Sequence, residues 1–230
     1  MPIITINGQF GAGGPEIGAE VARRLEMDYV DRRILEEAAK RLGATEEAVA
    51  ERERRPLSRR ERLARLLQGI LERSAAAGGG EDPYFGPDLG VLLGRQYPEV
   101  MREPITRADE LDDQRFLQVT QEVIRELASS GSAVIIGRAS NLILRDHPTA
   151  FHVGVAAPSE ERLRRVAERE GVSREEAARL MDAHERARTA FYRKFFKVTP
   201  EDPAFLHLLM NTHLLGDKRA VEVIVRAARA

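Results

Sequence analysis

The sequence predicts an α/β fold with a central parallel sheet, flanking helices and a helical insertion. Three observations carry this. Unbroken apolar runs at 132–137 (SAVIIG) and 150–157 (AFHVGVAA) read as strands covered on both faces. Segments with apolar residues at helical spacing alternate with the strand candidates. A glycine-rich turn joins the first strand to the first helix.

The elements follow in order. Residues 2–6 (PIITI) are apolar and β-branched, bounded by Asn7-Gly8, and form the first strand. Pro15 suits the first helical position, where its missing N–H costs nothing. Ile17, Val21 and Leu25 then define one buried helix face. Tyr29 and Val30 form a short second strand closed by Asp31, and 32–54 reads as a charged helical stretch. The least regular part is 55–110. It contains an amphipathic helix (Leu63, Leu66, Leu67, Ile70, Leu71), broken at Gly78-Gly79-Gly80 and Asp82-Pro83, and 51–110 as a whole reads as a mobile insertion.

Periodicity returns at 111–129, where Phe116, Val119, Val123, Ile124 and Leu127 share a face, and Gly131 stops that helix. Pro158 opens a helix whose first turn carries Glu160 and Glu161, favoured there by the helix dipole. Residues 173–196 read as a long charged helix or helix pair, 204–212 as a weaker strand, and 217–229 as a final helix. No internal repeat is visible, and the 230 residues are expected to form a single domain.

Composition narrows the function. A net charge of −1 gives no reason to expect a nucleic-acid or anionic-membrane partner. The absence of cysteine excludes disulfides, thiolate metal sites and Cys nucleophiles. No apolar run approaches the ~18 residues of a membrane span, and the chain enters a strand without a signal-like segment, so a cytoplasmic location is expected. The five histidines lack metal-ligand spacing, and no resident metal site is expected.

The glycine turn reads Gly8-Gln9-Phe10-Gly11-Ala12-Gly13-Gly14. Glycines there let main-chain N–H groups turn inward, and the helix N-terminus adds positive potential, so phosphate oxygens can be cradled without a side chain. The spacing meets the phosphate-loop pattern at Gly8 and Gly13. Gly14 and Pro15 stand where Lys and Ser or Thr are required. The nearest lysine is Lys40, so no shift of register supplies the charge. Glu16 has three readings: a metal ligand, a helix cap, or a repulsive surface acid. Asp31 caps the next helix, orients an acceptor phosphate's partners, or meets Mg²⁺ through water.

The stretch from Val134 to Val166, with Gly137-Arg138 ending its strand, resembles the cytidylate kinases. So do the glycine loop, Asp31, the segment 182–196 in the place of an arginine-rich lid, and 208–225 as a closing strand and helix. The sequence is most similar to the divergent cytidylate kinase-like family, which tends to carry Gly-Gly in its loop. The resemblance covers roughly 1–50 and 111–230 and implies a three-layer nucleoside-kinase-like P-loop fold with a lid at 182–203. It further implies ATP with Mg²⁺ as donor and CMP or dCMP as acceptor. On this reading Gly8, Gly11, Ala12, Gly13, Gly14, Asp31, Arg138 and Arg188 bind nucleotide. Arg186 and Arg193 stabilise the transferring group, and Arg138 holds the acceptor phosphate.

From Arg186 to Lys197 there are basic but no acidic residues, as a phosphate-facing lid requires; a solvated helix face has the same look. Arg138 has a purely structural alternative, pairing with a carboxylate such as Asp31. Tyr192, Phe195 and Phe196 are expected to pack rather than stack on a base. Two rival functions stay open: a non-catalytic nucleotide- or phosphate-binding module of the same fold, and a scaffold that self-associates as a homodimer through 55–80.

Overall fold

The computed structural model describes residues 3–31 and 107–229. The readings at 32–54 and for most of the 51–110 insertion, its self-association face included, lie outside the described residues. Five strands form one sheet: β1 (Ile3–Gly8), β2 (Asp28–Val30), β3 (Ala133–Ile136), β4 (Ala150–Ala156) and β5 (Leu208–Asn211), in the order β2-β3-β1-β4-β5. All four pairings are parallel.

Helix α1 (Gly14–Leu25) follows β1 directly, and α2 (Arg107–Ser130) precedes β3. Short α3 (Ser140–Ile143) follows β3. Next come α4 (Ser159–Glu170), α5 (Arg174–Phe196), α6 (Thr212–Leu215) and α7 (Asp217–Ala228).

The strands alternate their side chains between two cores. Ile4, Ile6, Val134, Ile136, Val153 and Val155 face one layer, where Ile17 and Val21 of α1 meet Val221 and Ile224 of α7. Ile3, Val30, Ala133 and Ile135 face the other, against Val119, Val123, Ile124 and Leu127 of α2. Each fully buried Ile or Val contributes about 1.5–3 kcal/mol, so two such layers hold the central strands firmly.

Several sequence expectations shift by a turn. Pro15 is the second helical residue, because Gly14 takes the first and Gly13 caps the helix. Helix α2 begins at Arg107, inside the stretch read as irregular. Helix α5 is a single element, capped by the Ser173 side chain, which accepts from Glu176 N–H. The last strand is shorter than 204–212, because Pro203–Phe205 forms a 3₁₀ turn capped by Asp202. Among the described residues no helix is long and apolar enough to cross a membrane.

Candidate functional site

The sheet register brings three sequence-singled positions to one edge. Ile6 of β1 lies beside Ile136 of β3, so Gly8 reaches the level of Arg138, and Val30 beside Ile135 places Asp31 level with Ile136. This is the carboxyl edge, where open parallel sheets bind ligands.

The glycine loop has the conformation an anion nest needs. Gly11 and Gly13 adopt left-handed φ of 82° and 83°, on either side of Ala12. Gly11, Ala12, Gly13 and Gly14 are all buried. Among the described residues, the N–H groups of Gly11, Gly13 and Gly14 have no hydrogen-bond acceptor. Buried amides without acceptors cost free energy unless an anion receives them.

The loop is held from outside. Ala12 N–H donates to Gln9 O at 3.0 Å. The buried Thr212 hydroxyl donates to Ala12 O at 2.8 Å, fixing the peptide plane that precedes Gly13. Ala157 N–H donates to Gln9 Oε1 at 3.2 Å. A side chain on Gly11 would begin 2.9 Å from Arg162 O and Val166 Cγ2, so α4 seats the loop.

Arg138 sits in an unusual turn. Gly137, Arg138 and Ala139 have φ of 71°, 52° and 52° in succession. For the two non-glycine residues this costs about 1–3 kcal/mol each, a strain that clusters at functional positions. The Arg138 Nε is buried. Asp31, in turn, is only 4% exposed.

The arginines of α5 divide by helical face. His184, Glu185, Arg188, Phe191 and Tyr192 face inward, whereas Arg186 and Arg193 are exposed. Arg186 pairs with Asp182 at 2.7 Å on the outer face. Arg188 instead bridges Glu185 (2.9 Å) and Glu201. Burial opposes its charge, but the two carboxylates outweigh burial and raise its pKa. The structure thus brings Arg188 toward the loop and leaves Arg186 and Arg193 on the outer face. Phe195 and Phe196 pack with Phe191 and Tyr192, as expected.

Glu185 is the residue that makes this connection. Its carboxylate accepts the loop's Phe10 N–H at 3.0 Å and lies 3.4 Å from Arg162 Nη1. The Phe10 ring stacks on His184, with centroids 3.9 Å apart.

Beside Gly13 stands a cation that sequence reading missed. Arg165 Nη1 lies 2.7 Å from the point where a Gly13 side chain would begin. It is tied to Asp217 (3.1 Å) and, through Nε, to Glu161 (2.8 Å). Arg164 and Arg165 hold the Glu161 carboxyl well below the usual carboxylate range. Glu16 does not cap its helix; its half-exposed carboxylate pairs with Arg169 at 3.4 Å and so is not a purely repulsive acid.

Among the described residues no cluster of three or more His, Cys, Asp or Glu could hold a metal. Asn7, Glu185, Arg162, Arg165 and Thr212 were invisible as site residues because their partners are distant in sequence. One local signal existed: Asn7 breaks an otherwise apolar strand immediately before Gly8.

The pattern of the cytidylate kinase-like family matches residues 3–214. A cytidylate kinase of Ignicoccus hospitalis is 26% identical over 171 residues, spanning 74% of this chain and 93% of the relative. A cytidylate kinase of Methanopyrus kandleri is 27% identical over 111 residues, 45% of this chain and 58% of the relative. The crystal structure of an uncharacterised protein from Eubacterium ventriosum shares the fold, with a TM-score of 0.65 at 17% identity, covering 100% of this chain and 99% of that one.

Proposed function

The chain belongs to the cytidylate kinase-like family, and we propose that it is a nucleoside monophosphate kinase-like phosphotransferase moving the γ-phosphoryl of MgATP onto CMP or dCMP. The observation that carries this reading is the buried run of Gly11, Gly13 and Gly14 at the N-terminus of α1, whose N–H groups have no acceptor among the described residues. Phosphoryl transfer asks chiefly for positioning and charge neutralisation.

In this reading Gly8, Gly11, Ala12, Gly13 and Gly14 form the donor-phosphate cradle. Arg138 and Asp31 lie across the sheet edge at the acceptor position. Arg188 is the lid arginine nearest the loop, and its rigid fork suits phosphate oxygens. Arg186, which would have to leave Asp182, and Arg193 turn inward from the outer face as the lid closes. Pro15 has no hydroxyl for Mg²⁺, so the ion would come with the nucleotide on its phosphate oxygens, and Asp31 is the carboxylate at the sheet edge that could meet it through water.

A second reading, a nucleotide-binding module without turnover, is favoured by one observation: Arg165, beside Gly13, and Arg188 are each already neutralised by two carboxylates. Loss of the loop Lys and hydroxyl costs on the order of 10²–10³ in rate per group. A panel of nucleoside monophosphates with ATP and Mg²⁺, followed for diphosphate formation, decides between the two. The kinase reading expects CDP or dCDP as the main product, abolished by Arg138→Ala. Nucleotide binding without any diphosphate would establish the module instead.

A further inference from the structure

We infer that Asn7 is a positioning residue for phosphoryl transfer, one buried side chain that holds the glycine loop, the Arg138 turn and the lid helix α5 in a common frame; this rests on the proposed kinase function. Asn7 is 4% exposed and sits in β1 immediately before Gly8. Its Nδ2 donates to Ser140 Oγ at 3.2 Å, and its Oδ1 accepts from Tyr192 OH at 3.4 Å. Both partners are buried as well.

Each contact reaches a different part of the site. Ser140 follows the left-handed run Gly137-Arg138-Ala139 and begins α3. Its N–H closes that run by donating to Gly137 O at 3.1 Å, and Gly137 N–H donates to Ile6 O at 3.0 Å. A strained turn persists only where its surroundings over-determine it, and the Asn7 amide supplies the side-chain restraint from β1. Tyr192 lies on the inner face of α5, one turn beyond Arg188, in the same buried cluster as Ala139.

Thr5, the other buried polar side chain of β1, meets His152 at 2.9 Å, whereas Asn7 bonds Ser140 and Tyr192. The amide is matched on both its donor and its acceptor side, which fixes its orientation and so transmits position rather than bulk. Asn7 acts through Arg138 and the lid and touches no reacting atom in this account.

The test is steady-state kinetics with ATP and the best acceptor of the monophosphate panel, alongside thermal unfolding, for wild type, Tyr192→Phe, Asn7→Ala and Asn7→Asp. Tyr192→Phe removes one hydroxyl and keeps the ring, so it is the decisive variant if Asn7→Ala fails to fold. The expected result is a kcat loss of ~10-fold or more for Tyr192→Phe and Asn7→Ala, with KM for ATP within ~2-fold of wild type. Asn7→Asp, which can accept from both hydroxyls, recovers most of the rate. Folded variants with lowered Tm and unchanged kcat, or with raised KM and unchanged kcat, would overturn the inference while leaving the kinase reading intact. A wild-type protein with no turnover would remove both.

Discussion

The Glu185 carboxylate of α5 accepts the backbone N–H of Phe10, inside the glycine loop, at 3.0 Å. The loop and α5 are thereby joined through one acid, which also pairs with Arg162 and Arg188. Glu185→Ala would leave Arg162 without its carboxylate, Arg188 with Glu201 alone, and the Phe10 amide without its acceptor. The expected loss is about 1–3 kcal/mol in urea unfolding, discounted toward the low end because the group is partly exposed, together with a raised KM for ATP. Unchanged unfolding and unchanged KM would show that the junction is incidental.

Gly14 occupies the position of the missing lysine without any steric reason. Its φ is outside the left-handed region, and a side chain there would begin 3.4 Å from Val155 Cγ2 and 3.8 Å from Ile6 Cγ2, ordinary contacts. Gly14→Lys should therefore fold and should raise phosphoryl transfer, by ~10-fold or more if the restored ammonium reaches the phosphates. A folded, inactive Gly14→Lys alongside an active wild type would show that this loop has replaced the ammonium by other means.

Gly11 cannot be altered in the same way. With φ of 82° and Arg162 O only 2.9 Å from a would-be side chain, Gly11→Ala meets both backbone strain and a backbone clash. Nucleotide binding measured by calorimetry should fall by ~10-fold or more, with a stability loss of about 1–3 kcal/mol.

These contrasts mark what the sequence discloses. The five strands were legible because buried parallel strands leave runs such as Ala133–Ile136 that few other contexts tolerate. The end strand was overextended because Pro203–Phe205 is apolar yet forms a 3₁₀ turn. The glycine loop was legible because its residue types are dictated by local φ. The inner and outer faces of α5 were not separated, because a run of arginines looks alike on every side. Only contact with Glu185 and Glu201 sets Arg188 apart from Arg186 and Arg193. Arg165 was missed for the same reason: its meaning lies in Gly13 and Asp217, far along the chain.

His152 gives the fold a pH dependence. It is 3% exposed, and its Nδ1 meets Thr5 Oγ1 at 2.9 Å. Burial, with a smaller contribution from His207, pushes its pKa down to about 4. In the unfolded chain it titrates near 6.5. As pH falls below that value the unfolded state takes up the proton first, so the stability is complete above about pH 6.5 and is lost progressively toward pH 4. The loss is on the order of 3 kcal/mol. Urea unfolding from pH 7 to pH 4 should trace it, and His152→Gln should flatten the slope; an unchanged slope would assign the acid sensitivity elsewhere.

The central claim is that the main-chain amides of Gly11, Gly13 and Gly14 hold a nucleotide phosphate without the customary lysine, and amide NMR reads it directly. Titration with MgATP should move the ¹H–¹⁵N resonances of these three glycines together, saturating along one binding curve. Binding that leaves all three resonances in place would contradict it.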